Sequence, residues 1–258
     1  MEPITAVRTS VDDGVGVVTL TDARRRNPLS VSTMRAVTAA LRGLSDDGVG
    51  AIVLTHEGPA FSAGHNLAEM VGRTLDDERE VFAVCTEMME TVQQIPQPVI
   101  AAVDGMAVAA GCQLVATCDL AVVSTGSVFG TPGVRIGLFC STPMVAVSRA
   151  IGRKRAMQML LTGVPIDAAT AADWGLVNEV VAPGAVVARA VELARQITSA
   201  SALTIAIGKQ AFYRQIDLPQ AEAYAAMQEV MATNAVTCDA QEGMQAFLDK
   251  REPVWSGT

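Results

Sequence analysis

A continuous apolar run closes on a tight turn at Pro98-Val99-Ile100-Ala101-Ala102-Val103-Asp104-Gly105. A run without alternating polar residues is typical of a parallel strand that is buried on both faces. Small residues from Ala109 to Thr117 predict a helix after the turn, and residues 119–124 predict the next strand. This strand–turn–helix–strand unit predicts an α/β domain with a largely parallel sheet.

The same alternation extends toward the N-terminus, and helices dominate toward the C-terminus. Residues 14–20 and 51–55 predict strands, and residues 30–44 and 76–95 predict helices. Further helices are predicted at 142–150, 154–161, 168–174, 185–198, 203–213, 219–235 and 238–250, and residues 176–181 are predicted to be extended. We therefore predict a core over residues 1–195 and a C-terminal helical subdomain over residues 196–258.

The composition excludes several classes of partner. The chain has 258 residues, a net charge of −8 and only 4% aromatic residues, so it lacks the basic surface that nucleic-acid binders need. No apolar run reaches 18 residues, so no membrane partner is expected. Two basic runs, at residues 24–26 and 153–155, fit either a solvated surface or a site for a phosphorylated ligand.

The cysteines suggest a reducing environment. Five are present without a CxxC pair, and the N-terminal residues resemble neither a secretory signal nor an Arg-rich transit peptide. Free thiols in the cytoplasm are therefore expected.

Three familiar motifs are incomplete. Gly14-Val15-Gly16 lacks the third glycine of a dinucleotide loop, and Phe61-Ser62-Ala63-Gly64 lacks the first glycine of a nucleophile elbow. The two histidines, His56 and His65, have no neighbouring ligands at metal-binding spacing, so no metal site is expected.

Two glycine-containing turns remain, at residues 58–67 and 104–114, and each directly follows a buried strand. Open α/β folds bind ligands at the carboxyl ends of strands, and small residues let a ligand approach the backbone. Two N–H groups that converge there would form an oxyanion hole. Tight packing of helix on sheet by Gly and Ala is the alternative interpretation.

An ordered series of segments resembles the motifs of the enoyl-CoA hydratase (crotonase) superfamily over residues 10–182. The segments are Phe61–Leu67, Ile95–Gly105, Ala110–Leu114 with Cys118-Asp119, Phe129–Pro132, Leu161–Gly163 and Ala171–Val177. The resemblance implies a ββα spiral core, a C-terminal helical subdomain, and a homotrimer or a dimer of trimers. It also implies an acyl-CoA thioester as substrate, with no separate cofactor.

The family's binding residues carry over to particular positions of this chain. The thioester oxygen would be held by the N–H groups of His65 and Ala110. The CoA part would contact Arg24, Arg25, Asn27, Leu29, Ala63, His65, Asn66, Leu67, Ala68, Ala110, Phe247 and Lys250.

The chain departs from the family at the two glutamates that move protons during hydration, where it has Gln113 and Gly133. A glutamine can hold a water molecule but cannot take its proton, and a glycine can do neither. With Ser62–His65, Thr131–Gly133 and Gly137–Pro143, the sequence resembles the enoyl-CoA hydratase domain-containing branch, whose reaction the resemblance does not give.

Other groups are candidates for the missing chemistry. The His65 imidazole is a candidate base, and Cys140 is a candidate nucleophile if its pKa is lowered. Glu69 and Asp104 are weaker candidates, because each has an easy role at a helix or turn. The leading hypothesis is an acyl-CoA enzyme of the hydratase/isomerase class that stabilises a thioester enolate. The alternatives are a non-catalytic acyl-CoA-binding or scaffolding protein, and a different reaction in the same pocket.

Overall fold

The computed structural model describes residues 6–258, which form two β-sheets surrounded by helices. The strands are β1 (Val7–Asp12), β2 (Val15–Leu20), β3 (Ala51–His56), β4 (Ala60–Ser62), β5 (Val99–Val103), β6 (Met106–Val108), β7 (Leu120–Ser124), β8 (Val128–Gly130), β9 (Ile166–Asp167) and β10 (Glu179–Val181). The α-helices are α1 (Val31–Asp46), α2 (Leu75–Gln94), α3 (Ala110–Thr117), α4 (Ser141–Ala150), α5 (Arg153–Thr162), α6 (Ala168–Trp174), α7 (Val186–Thr198), α8 (Ala202–Gln215), α9 (Gln220–Ala235) and α10 (Cys238–Asp249).

The two sheets are built by a repeated ββα unit. The larger sheet has the order β1-β2-β3-β5-β7-β10 and is parallel except for the β1–β2 pair. The smaller sheet has the order β4-β6-β8-β9, with β4, β6 and β8 parallel. Each of β3, β5 and β7 is followed within a few residues by a strand of the smaller sheet. The predicted spiral α/β core is therefore confirmed.

The predicted long elements are confirmed, whereas the smaller sheet is absent from the prediction. Its strands have only two or three residues. Such short segments cannot show the alternation by which strands are recognised in a sequence.

The core has two parts, one on each face of the larger sheet. One contains large buried side chains such as Phe61, Met88 and Phe129, which pack with residues of α1, α2 and α3. The other part lies between the sheet and α7. This layer is thin, because α7 packs on β3 and β5 through the small side chains of Val186, Ala190 and Ala194. The predicted boundary at 195/196 falls inside α7, and the helices beyond it begin at Ala202 with α8.

A buried lysine anchors the C-terminal helices to the sheet. The Lys209 Nζ atom of α8 lies 2.8 Å from Asp119 Oδ2 and donates to the carbonyl oxygens of Val92 and Gln97, each at 2.7 Å. The hydroxyl of Tyr213, one turn later, donates to Asp119 Oδ1 at 2.7 Å. Because a buried cation needs such partners, this cluster fixes the position of α8.

Two absences hold for residues 6–258. No helix there has the length and hydropathy required to cross a bilayer. No group of three or more His, Cys, Asp or Glu side chains is arranged to hold a metal ion.

Candidate active site

A cavity of about 670 Å³ lies between the turn after β4, helix α2 and the segment 132–143. Its wall is mostly apolar. The lining residues are Arg25, Pro28, Ala63, His65, Asn66, Leu67, Met70, Phe82, Ala109, Pro132, Gly133, Arg135, Ile136, Leu138, Phe139, Cys140, Ser141, Thr142 and Pro143. A cavity of this size and chemistry is typical of a small-molecule site.

The two glycine-containing turns of the sequence meet at the cavity. Gly64 has a φ of +92°, and a Cβ atom there would lie 2.8 Å from the Cβ of Ala109 and 3.3 Å from the amide nitrogen of Ala110. Only glycine permits this backbone and this approach. The turn is also held by the Leu29 N–H, which donates to the Gly64 carbonyl oxygen at 2.8 Å. The first turn is therefore fixed directly against the start of α3.

Two backbone donors lie unused at this junction. Among residues 6–258, no acceptor pairs with the N–H of His65 or with that of Ala110. Ala110 is the first residue of α3, where N–H groups have no partner within the helix. The preceding residue, Ala109, has φ 51° and ψ −120°, a strained backbone conformation for a residue with a side chain.

The cavity wall contains about half of the residues that the sequence singled out. In the wall are Arg25, Ala63, His65, Asn66, Leu67, Gly133 and Cys140. The wall does not include Arg24, Asn27, Leu29, Ala68, Ala110, Gln113, Phe247 or Lys250.

The residues outside the wall have different surroundings. Asn27 is 1% exposed, and its amide donates to the carbonyl oxygens of Glu57 and Ala60, so its side chain supports the turn. Leu29 is equally buried. Phe247, by contrast, is 82% exposed on α10, and Lys250 ends that helix. Contact of Phe247 and Lys250 with CoA stays a prediction.

Gln113 and Gly133, the two positions at which the resemblance implies glutamates, have different surroundings. Gln113 is buried on α3, where its Oε1 atom lies 4.0 Å from the Cys85 sulfur. Gly133 lines the cavity, but a Cβ atom there would lie 2.1 Å from the Leu138 carbonyl oxygen and 2.8 Å from Cys140 Sγ. The segment 138–140 covers Gly133 so closely that no side chain fits at this position.

The His65 side chain is partly buried in the cavity wall, with its Nε2 atom fully buried. Its Nε2 atom has no hydrogen-bond partner among residues 6–258, and its ring meets that of Phe82 edge to face, with centroids 5.5 Å apart. Burial lowers the pKa of His65 to about 4. A base with so low a pKa takes a proton poorly at pH 7, because general bases work best with a pKa near the operating pH.

Cys140 lies in the wall as a thiol. It is 7% exposed, and burial raises its pKa. A nucleophilic cysteine needs the opposite shift, so the arrangement does not favour a thiolate here. All five cysteines are free; Cys85, Cys112 and Cys118 are also buried, whereas Cys238 is exposed.

The two weaker candidates have structural partners. Glu69 accepts from the Val31 N–H and from the Asn66 side chain, each at 3.0 Å. Asp104 accepts from the Gly184 N–H at 2.7 Å. Both carboxylates thus hold turns and helix starts, as their sequence positions suggested.

Sequence reasoning missed several residues of the wall. Phe82 belongs to α2, and only the folded chain brings it against His65. Ile136, Leu138 and Phe139 line the cavity while remaining exposed. For Leu138 and Phe139, the one sequence signal was the segment 137–143, which resembles one branch of the family.

Comparison with known proteins agrees with this arrangement. A sequence profile described as enoyl-CoA hydratase/isomerase matches residues 10–258. The chain is 43% identical over 250 residues to enoyl-CoA hydratase domain-containing protein 3, mitochondrial, of Rattus norvegicus, covering 96% of this chain and 83% of the rat protein.

Solved structures extend the likeness to the fold. An enoyl-CoA hydratase of Mycobacterium smegmatis superposes with a TM-score of 0.94 at 43% identity, covering 98% of this chain and 99% of that one. Human enoyl Coenzyme A hydratase domain-containing protein 3 also gives a TM-score of 0.94, at 41% identity, covering 97% of this chain and 100% of that one.

These relatives correct one prediction and establish the family. The expected cytoplasmic location is wrong, because the rat protein and its mouse and human counterparts are named as mitochondrial. With its profile match, its relatives and its fold in agreement, the chain belongs to the enoyl-CoA hydratase/isomerase family.

Proposed function

We propose that this protein binds an acyl-CoA and stabilises the enolate form of its thioester through the N–H groups of His65 and Ala110. The observation that carries the proposal is the pair of unused donors where the two turns meet beside a largely apolar cavity. Preorganised donors in a site that excludes water stabilise a developing oxyanion strongly. The acyl-CoA itself brings the CoA group, so no separate cofactor takes part in the proposal.

Hydration of a 2-enoyl-CoA is not the favoured reaction. It needs groups that exchange protons near neutral pH, and Gln113 and Gly133 supply none. His65, with a pKa of about 4, and Cys140, with a raised pKa, are poorly matched to the task. Each missing acid or base typically lowers a rate by about 10²–10⁴. We expect crotonyl-CoA hydration far below the usual rate of the family.

The same observation supports a second candidate, an acyl-CoA-binding or scaffolding protein that does no chemistry. Tight binding of saturated, enoyl-, dienoyl- and malonyl-type thioesters without conversion of any of them would favour it over the enzyme. Conversion of one of them would favour the enzyme.

A matched pair of ligands tests the thioester contact. Butyryl-CoA carries the thioester oxygen, and S-butyl-CoA, the corresponding thioether, lacks it. Two hydrogen bonds contribute about 0.5–1.5 kcal/mol each, so we expect butyryl-CoA to bind about 5- to 160-fold more tightly in titration calorimetry. Equal affinities would show that the two N–H groups do not bind the thioester oxygen. No binding of either ligand at millimolar concentration would reject acyl-CoA as the ligand.

A single substitution tests the proton chemistry. Gln113→Glu restores one carboxylate at a position whose side chain is already present, whereas a glutamate at position 133 has no space. We expect the substitution to raise crotonyl-CoA hydration, followed by loss of absorbance, above that of the parent. Hydration by the parent at ordinary enzyme rates would instead show that other groups carry the protons.

A further inference from the structure

Four exposed apolar side chains line the cavity, and the exposed side chain of Val71 follows one of them, Leu67, by four residues. This apolar rim consists of Leu67, Val71, Ile136, Leu138 and Phe139, which are between 38% and 82% exposed. Isolated exposed apolar residues are common, but a contiguous group beside a cavity marks a binding surface.

The rim is continuous with the cavity. Leu67, Ile136, Leu138 and Phe139 form part of the wall, and Val71 is tied to Leu67 by a 3.1 Å hydrogen bond from its N–H. Any apolar group that fills the cavity and extends outward therefore passes over these side chains. A surface that only docks another protein has no need to be continuous with an interior cavity, so the continuity favours a ligand that occupies both.

The chemistry of the wall suggests which part of the ligand lies there. The proposed CoA contacts lie at residues 24–29 and 63–68, and Arg25 and Asn66 of these segments line the cavity. The segment 136–139 lines the cavity without belonging to the proposed CoA contacts, and its side chains offer no polar atoms to a ligand. An aliphatic chain is the complement of such a wall.

The cavity volume permits such a chain. If a methylene group needs about 30 Å³, as a water molecule does, four carbons fill about 120 Å³ and twelve fill about 360 Å³. A cavity of about 670 Å³ accommodates the longer chain together with the end of the pantetheine arm.

We infer that the site is built for acyl-CoA molecules with medium or long aliphatic chains, whose distal carbons lie on the apolar rim. This inference rests on the proposed binding of acyl-CoA, and it concerns the length and polarity of the acyl group.

A series of saturated thioesters tests it without requiring any reaction. Acetyl-, butyryl-, octanoyl- and dodecanoyl-CoA would be titrated by calorimetry below their micelle concentrations, with free CoA as the baseline. Full burial of one CH₂ group is worth about 0.8 kcal/mol, or about fourfold in affinity, and partial burial gives less. We expect dodecanoyl-CoA to bind at least about tenfold more tightly than butyryl-CoA. Affinities within twofold across the series would overturn the inference and leave the proposed function standing, whereas no binding of any thioester would reject the proposed function itself.

Variants locate the effect on the rim. Ile136→Ser and Leu138→Ser remove exposed apolar side chains, and each should reduce the gain from butyryl- to dodecanoyl-CoA by about threefold or more. Val187→Ser changes a similarly exposed residue of α7, on the opposite face of the sheet, and should leave the gain unchanged.

The same variants distinguish a second occupant of the rim. Contact with another copy of the chain predicts that the Ile136 and Leu138 variants change the sedimentation coefficient and leave the chain-length dependence intact. That result would overturn the inference. An unchanged sedimentation coefficient with a reduced chain-length dependence would support it.

Discussion

At the scale of single residues, His65 combines a proposed backbone role with an unfavourable side-chain environment. Burial lowers its pKa from 6.5 to about 4 in the folded protein, so the unfolded chain binds its proton more tightly. Protonation of His65 therefore favours the unfolded chain. The free energy of unfolding is unaffected by it above about pH 6.5 and falls as the pH drops toward 4. The loss amounts to about 3 kcal/mol at most.

His65→Phe should flatten this dependence. Urea unfolding of parent and variant at pH 7, 6 and 5 measures it, and the difference in their free energies of unfolding should shift in favour of the variant as the pH falls. His56, whose pKa burial also lowers, remains in both proteins and cancels in the comparison. A difference that does not change with pH would show that the His65 imidazole is not a buried neutral group.

Ala109 is the second residue with a conformational cost. Its φ of 51° and ψ of −120° place strain beside the proposed donor at Ala110. Ala109→Gly should raise the free energy of unfolding by about 0.5–2 kcal/mol, since glycine relieves strain of about 1–3 kcal/mol but adds freedom to the unfolded chain. Ala116→Gly, within α3, should lower the same quantity by about 1 kcal/mol. Chemical denaturation gives both values. If both substitutions lower the free energy of unfolding, the backbone of Ala109 is not strained.

At the scale of elements, the segment 138–140 leaves no space for a side chain at Gly133. A Cβ atom at position 133 would meet the Leu138 carbonyl oxygen at 2.1 Å, and a backbone atom cannot move aside cheaply. Gly133→Ala should therefore lower the free energy of unfolding by about 1–3 kcal/mol. A thermal or urea melt measures the change.

Gly43→Ala is the matched control for Gly133→Ala. Gly43 lies in α1, where a Cβ atom would meet nothing within 4 Å, so the substitution should raise the free energy of unfolding by up to about 1 kcal/mol. Equal effects of the two substitutions would mean that the segment 138–140 can move away from a Cβ atom at position 133 at little cost.

Elements also show how far the sequence could predict the structure. The strands β3, β5 and β7 and nearly all helices follow from apolar runs and helical periodicity, because these are local patterns. The two turns could be recognised as neighbours through the family resemblance. The meeting of His65 with Phe82, and the cover over Gly133, depend on contacts between distant segments. No local pattern encodes such contacts, nor the burial that shifts the pKa values of His65 and Cys140.

At the scale of the whole molecule, we propose that the chain assembles into a trimer or a pair of trimers. Helix α9 has no buried residue, and Tyr224, Met231 and Val236 in or just after it are at least 65% exposed. An apolar helix face left in water by one copy is readily covered by another.

Sedimentation velocity should therefore show a particle larger than one chain of 26.9 kDa. Tyr224→Asp with Met231→Asp should reduce its size, because charges are poorly tolerated at the centre of an interface. Val187→Asp, on α7, should leave the size unchanged. A parent that sediments as a single chain would contradict the proposed assembly.

The uneven exposure of the cysteines gives this protein a built-in attachment point. Cys238 begins α10 in solvent, whereas the other four thiols are buried. A maleimide dye should react with Cys238 of the native protein first, without any engineered cysteine, since reactivity follows accessibility and thiolate content. Energy transfer between dyes on neighbouring copies would then report the distance between their α10 helices. It would therefore follow assembly and any ligand-induced movement of the C-terminal helices.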